Sequence, residues 1–192
     1  MSRVVVFESI TLDGVIQAPG RPDEDPRDGF AHSGWATPYA DDVLAKVAAE
    51  GMATTRALLF GRRTYEDFAG FWPHQTDNPF AQVLNDTPKY VVSTTLADPL
   101  GWHTATLVSG LDAVAGLRDL PGGDIVVLGS GELVRSMAAR GLVDEYVLLL
   151  HPVVLGSGRR LFADGAAPTA LRLENTTVTG TGVVVATYRP AA

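Results

Sequence analysis

Ile125-Val126-Val127-Leu128-Gly129-Ser130-Gly131-Glu132-Leu133 reads as a buried strand that breaks into a glycine turn and then a helix. Four apolar residues without alternation describe a strand covered on both faces, the habit of α/β sheets. The paired glycines let backbone approach a ligand closely, and the helix start beyond them presents free N–H groups to an anion. A dinucleotide fingerprint of the G-x-G-x-x-G type would need glycine at position 134, which is Val134. A second junction of the same kind is Leu58-Leu59-Phe60-Gly61-Arg62-Arg63-Thr64-Tyr65-Glu66. Here two guanidinium groups and a hydroxyl stand at the helix start, where each can bond phosphate. Tight turns beside solvated arginines would carry the same letters. Two such junctions in one small chain are explained more economically by the phosphates of a dinucleotide.

Working outward, further strands are predicted at residues 3–8, 57–60, 90–93 and 146–150. Helical spacing of apolar residues predicts helices over 38–50, over 64–68, around Leu111, Val114 and Ala115, and around Leu133, Val134, Met137 and Ala138. The C-terminal third alternates instead. Residues 171–178 and 183–189, with Gly180-Thr181-Gly182 between them, predict an antiparallel hairpin at one edge. Residues 17–37 and 72–88 read as long loops, either functional or mobile. The order of elements gives a mixed sheet flanked by helices, in a single domain over residues 1–192. Residues 146–155 are apolar enough to pair with a second copy at an edge, although an internal strand would look the same.

Composition removes other classes. A formal charge of −7 makes nucleic acid a poor partner, and the absence of cysteine rules out disulfides and thiolate chemistry. His32, His74, His103 and His151 lack metal-ligand spacing, so no metal site is expected. There is no G-x-S-x-G, no P-loop, and no deaminase zinc motif. The N-terminal run is too short for a secretion signal and no stretch is long enough to span a membrane, so a cytoplasmic location is expected and the triplets at Asn85 and Asn175 read as chance glycosylation matches.

The motifs also follow a familiar order. Ile10-Thr11-Leu12-Asp13-Gly14-Val15-Ile16 follows the first strand, and the Gly61–Glu66 junction the second. Val91-Val92-Ser93-Thr94 ends the third, the Gly129–Leu133 junction follows a later one, and Pro152-Val153-Val154-Leu155-Gly156-Ser157-Gly158-Arg159-Arg160-Leu161-Phe162 lies near the end. This order resembles the dihydrofolate-reductase superfamily, and within it the C-terminal reductase domain of the bifunctional riboflavin deaminase–reductase. The resemblance implies a three-layer α/β/α fold whose central, mostly parallel sheet has helices on both faces and an antiparallel C-terminal hairpin. It implies NADPH, held by Gly61, Arg62, Arg63 and Thr64 at one helix start. Ser93 and Thr94 would face the adenosine phosphate, Gly129, Ser130, Gly131, Glu132 and Leu133 the pyrophosphate and nicotinamide, and the loop with Gly14 and Ile16 would cover the ring.

For chemistry, the resemblance implies hydride transfer to a small heterocyclic or ribosylaminopyrimidine-type substrate. Asp13 occupies the kind of position where the riboflavin branch places an acid. Trp35-Ala36-Thr37-Pro38-Tyr39-Ala40-Asp41-Asp42 resembles the Trp–Pro segment and carboxylate with which dihydrofolate reductases hold the pterin, shifted by a residue. Asp41 or Asp42 would then be that acid, and Trp35 and Arg159 would face substrate. Dipole-favoured helix-start acids and an Asp-Gly turn are the plainer readings of these aspartates. The alternatives are dihydrofolate reduction and an NADPH-binding dimer module with a decayed substrate pocket. A homodimer is expected on the same resemblance.

Overall fold

The computed structural model describes residues 1–162 and 164–191. In chain order it contains β1 (Val4–Thr11), α1 (Asp42–Thr54), β2 (Thr55–Gly61), α2 (Arg62–Phe71), α3 (Pro79–Asp86), β3 (Lys89–Val92), β4 (Ala105–Val108), α4 (Gly110–Leu117), β5 (Asp124–Leu128), α5 (Gly131–Ala139), β6 (Glu145–His151), β7 (Leu171–Val178) and β8 (Val184–Pro190). All eight strands form one sheet in the order β4-β3-β2-β5-β1-β6-β8-β7. Every pairing up to β6 is parallel, whereas β8 pairs antiparallel with both β6 and β7. The expected architecture, including the C-terminal hairpin, is therefore the observed one.

The apolar runs are buried on both faces because helices cover both. On one face, Val4, Val6 and Ile10 of β1 pack with Leu59, Ile125 and Val127, under Val114 of α4 and Leu133, Val134 and Met137 of α5. On the other, Val5 packs with Leu58 and Phe60, under Tyr65 of α2 and Leu84 of α3. Phe60 and Leu58 are completely buried, each stabilising the fold by roughly 1.5–3 kcal/mol through removal of apolar surface from water. Adjacent strands β2 and β5 thus send their helices to opposite faces. A crevice must open between them at the carboxyl rim of the sheet, the usual ligand position in such folds.

Some elements differ from expectation. Residues 72–88 include α3, whose start is capped by Asn78 accepting the Phe80 N–H at 3.0 Å. The short half-buried β4 had no strand signal of its own. The helix predicted over 38–50 starts at Asp42, after a 3-10 turn at Thr37–Tyr39. Residues 146–150 form part of an internal strand, hydrogen-bonded to β1 and β8, and the edge strands of the sheet are β4 and β7 instead. Among the described residues, no helix is long and apolar enough to cross a membrane.

Candidate functional site

The two strand–glycine–helix junctions meet at the carboxyl rim and are fastened together. After β5 the chain turns through Gly129 (φ +57) and Ser130 (φ +61), both left-handed. A side chain at Gly129 would place its Cβ 3.1 Å from Thr64 Cγ2, so glycine there permits the close approach. The Ser130 N–H donates to Thr64 Oγ1 at 3.0 Å. In return the Gly61 N–H donates to Ser130 Oγ at 3.0 Å, and that hydroxyl donates to the Leu128 carbonyl at 3.2 Å. The Ser130 hydroxyl is thereby spent, whereas Thr64 accepts and keeps its hydrogen to donate. Neither α2 nor α5 has a side-chain cap, so N–H groups of their first turns remain available to an anion.

Between the junctions lies a cleft of about 840 Å³, a size suited to a cofactor-sized ligand. It is lined by Ile16, Gly61, Arg62, Arg63, Thr64, Ser93, Thr94, Gly129, Ser130, Gly131, Glu132 and Leu133. Of the residues expected at the cofactor, only Gly14 lies outside, in a turn (φ +85) against the Arg160 side chain. Ile16 lies so close over Gly131 that a Cβ there would sit 2.5 Å from Ile16 Cδ1. Ser93 Oγ accepts the N–H groups of Thr95 at 3.1 Å and Leu96 at 3.0 Å and so shapes the turn after β3. The cations already have acidic partners: Arg62 with Glu66 at 3.0 Å, Arg63 with Glu132 at 3.5 Å, and Arg159 with Glu132 at 3.1 Å and Asp28 at 2.8 Å. These pairs are solvent-exposed, each worth about 0–1 kcal/mol, and a phosphate can displace them. The donor set therefore fits a phosphorylated dinucleotide.

The acids expected at the substrate do not line this cleft. Asp13 Oδ1 accepts the Thr11 hydroxyl at 2.6 Å and the Leu155 N–H at 3.2 Å, and Oδ2 accepts the Gly156 N–H at 2.9 Å. Its carboxyl is held below the ordinary value, chiefly by the Thr11 hydroxyl, and it pins the first loop to the glycine-rich segment near the C-terminus. Asp41 caps α1, accepting the Leu44 N–H at 2.9 Å, a bond that lowers its pKa; Asp42 sits in the first turn behind it. Their helix packs through Leu44 and Val47 against Leu149, Val183 and Val185, which carries both acids away from the cleft. Trp35 is also buried elsewhere, donating Nε1–H to the Gln17 carbonyl at 2.8 Å and packing on the His151 ring. Of the expected substrate contacts, Arg159 alone lines the cleft.

Among the acids that do line it, Glu8 is the one buried within a strand, and sequence reasoning passed it over. Its parity on β1 is that of Val4, Val6 and Ile10, the face under α5. The last β1–β5 pair is Phe7 with Leu128, so Glu8 stands where β5 turns away. The residue is 3% exposed and its Oε1 has no hydrogen-bond partner. Burial pushes this carboxyl well above the ordinary carboxylate value, and the Glu24 charge adds to the effect. Buried Gln17 borders the same cleft; it donates to the Asp25 and Arg27 carbonyls and accepts the Arg159 N–H at 3.0 Å, tying two loops together. A charged letter inside the run Val4-Val5-Val6-Phe7-Glu8 was the available signal for Glu8.

Comparison with known proteins agrees with this geometry. The chain is 29% identical to the uncharacterized protein YyaP of Bacillus subtilis (strain 168) over 194 aligned residues, covering 97% of this chain and 94% of YyaP. Its fold is similar to dihydrofolate reductase from Enterococcus faecalis complexed with NADP(H), with TM-score 0.62, 15% identity, and 99% and 97% of the two chains covered. It is also similar to the deaminase/5-amino-6-(5-phosphoribosylamino)uracil reductase of Thermotoga maritima, with TM-score 0.67 and 12% identity over 99% of this chain and 57% of that one. These likenesses establish a dihydrofolate-reductase-like fold. Residues 2–185 match the family described as the RibD C-terminal domain, and the chain belongs to that family.

Proposed function

We propose that this protein is an NADPH-dependent reductase that delivers hydride to a small heterocyclic or ribosylaminopyrimidine-type substrate. The observation that carries this reading is the interlocked pair of junctions. Two uncapped helix starts, the Arg62–Arg63 pair and the free hydrogen of Thr64 face one cleft. Amide hydrogens suit a pyrophosphate, and guanidinium groups suit the additional phosphate of NADPH. When bound, the cofactor would supply the hydride. The protein's part is to fix its phosphates, let Ile16 close over the turn at Gly131, and hold the substrate beside it. The folate reading lacks support, because Asp41 and Asp42 stand away from the cleft.

Calorimetric titration with NADPH and NADH tests the reading. Arg62→Ala combined with Arg63→Ala should weaken NADPH by about tenfold or more and NADH little, since the phosphate contact is charge-assisted. Absence of NADPH binding to the unaltered protein at millimolar cofactor would end the proposal. Homodimerisation remains part of it: β7 is one of the two edge strands, with Leu173 and Val178 exposed, and sedimentation equilibrium reads the outcome.

A further inference from the structure

Glu8 is a carboxyl group without an explanation inside the protein. It is 3% exposed, and among the described residues no salt bridge reaches it and its Oε1 has no partner. Another cleft acid, Asp67, also has a partnerless oxygen, but its Oδ1 is paired with Arg21 at 2.6 Å. A buried carboxylate without a cation costs several kcal/mol, and an apolar residue in its place would cost nothing. The protonated acid is the cheaper form, and it offers one donor and one acceptor side by side.

We propose, resting on the reductase reading above, that Glu8 is a catalytic residue: a neutral carboxylic acid that hydrogen-bonds the substrate and gives it the proton that accompanies the hydride. The substrate class follows from the donor–acceptor pair. It is a nitrogen heterocycle presenting a ring nitrogen or carbonyl lone pair beside an N–H, with a C=N or C=O bond to be reduced. In the step, the substrate carbon accepts a hydride, with its electron pair, from a reduced nicotinamide. The π pair of the double bond moves to the heteroatom, which takes the Glu8 proton. Glu8 is left as a carboxylate and regains a proton from water through the open cleft. The charged residues that share the cleft with it are Asp23, Glu24, Asp25 and Arg27 from the first loop, Arg62, Arg63, Glu66 and Asp67 from α2, Glu132 and Arg135 from α5, and Arg159. Glu24 is the one whose charge reaches Glu8, and it works against ionisation.

The test compares the unaltered protein with Glu8→Gln at about pH 7, where an ordinary carboxyl is ionised. Infrared difference spectroscopy should show the carbonyl stretch of a protonated carboxylic acid that Glu8→Gln lacks. Calorimetry should show the same NADPH affinity in both proteins. The probe 5,6-diaminouracil, titrated in the presence of NADP+, should bind Glu8→Leu, a variant that still binds NADPH, at least about tenfold more weakly than the parent, and Glu8→Gln, whose amide keeps one donor and one acceptor, about as tightly. No protonated-acid band, equal binding of the probe by the parent and Glu8→Leu, or no binding of the probe at all, overturns the role of Glu8. Loss of NADPH binding by the unaltered protein overturns the cofactor reading instead, so the two failures are separable. Matching denaturation midpoints at about pH 5 confirm that the Gln variant is folded.

Discussion

Thr64 Oγ1 lies 3.0 Å from the backbone nitrogen of Ser130, and this bond joins the start of α2 to the left-handed turn before α5. The residues are 66 positions apart in sequence, so the contact exists only when β2 and β5 are neighbours in the sheet. Thr64→Val keeps the shape and removes the acceptor. The Ser130 N–H then has no partner, a loss of about 1–3 kcal/mol. Urea denaturation should show that loss together with weaker NADPH binding, and Thr64→Ser should restore both. A Val variant as stable and as tight-binding as the parent would mean that the bond positions nothing.

This bond also marks where sequence reading succeeds and stops. Gly61 and Gly129 end uninterrupted apolar runs, so both junctions could be located from periodicity and turn chemistry. Their mutual contact depends on strand order, which residue types do not encode locally. The aspartates were misplaced for a similar reason. Asp41 and Asp42 carry the letters of a helix start, and only the packing of α1 beside β8 shows that this start faces away from the cleft. Glu8 was hidden by its own strand, because an acid ending an apolar run ordinarily marks a solvent-facing end. Here β5 turns away one residue earlier, and the cleft takes its place. α3 falls within residues 72–88, read as a loop, although Asn78-Pro79 begins a helix well.

Arg62 is held by Glu66 at 3.0 Å one helical turn along, with both side chains partly exposed. A phosphate binding there must displace Glu66. Glu66→Gln therefore should tighten NADPH by up to about fivefold, the scale of an exposed ion pair of up to about 1 kcal/mol. NADH should be unaffected, and the gain should shrink as salt is raised. Calorimetry at two ionic strengths reads it. No change for NADPH would show that Arg62 does not face its additional phosphate.

A methyl group at Gly131 would stand 2.5 Å from Ile16 Cδ1, the far end of a side chain. Gly131→Ala should destabilise by about 1–3 kcal/mol as Ile16 moves aside. It should also weaken NADPH, because the loop covering the turn is lifted. Ile16→Val removes Cδ1, so the double variant should recover most of the loss. A thermodynamic cycle over the four proteins measures that coupling; simple additivity would show that Ile16 and Gly131 do not meet.

The protonation of Glu8 sets a pH dependence on stability whose sign can be stated. Its folded carboxyl titrates above the ordinary value of 4.5, chiefly because of burial. Between the unfolded and folded values the folded state holds a proton that the unfolded state has released. Stability contributed by Glu8 is thus fully present below the ordinary value and is lost as pH rises through the raised one. Gln carries no titrating proton. Urea unfolding of the parent and Glu8→Gln from about pH 5 to about pH 9 should therefore show a difference in favour of Gln that grows with pH and levels off once folded Glu8 ionises. A carboxylate stabilised by a hidden cation would titrate below the ordinary value and leave the difference nearly flat over this range, and Glu8 would then be an ion-pair anchor and no proton donor.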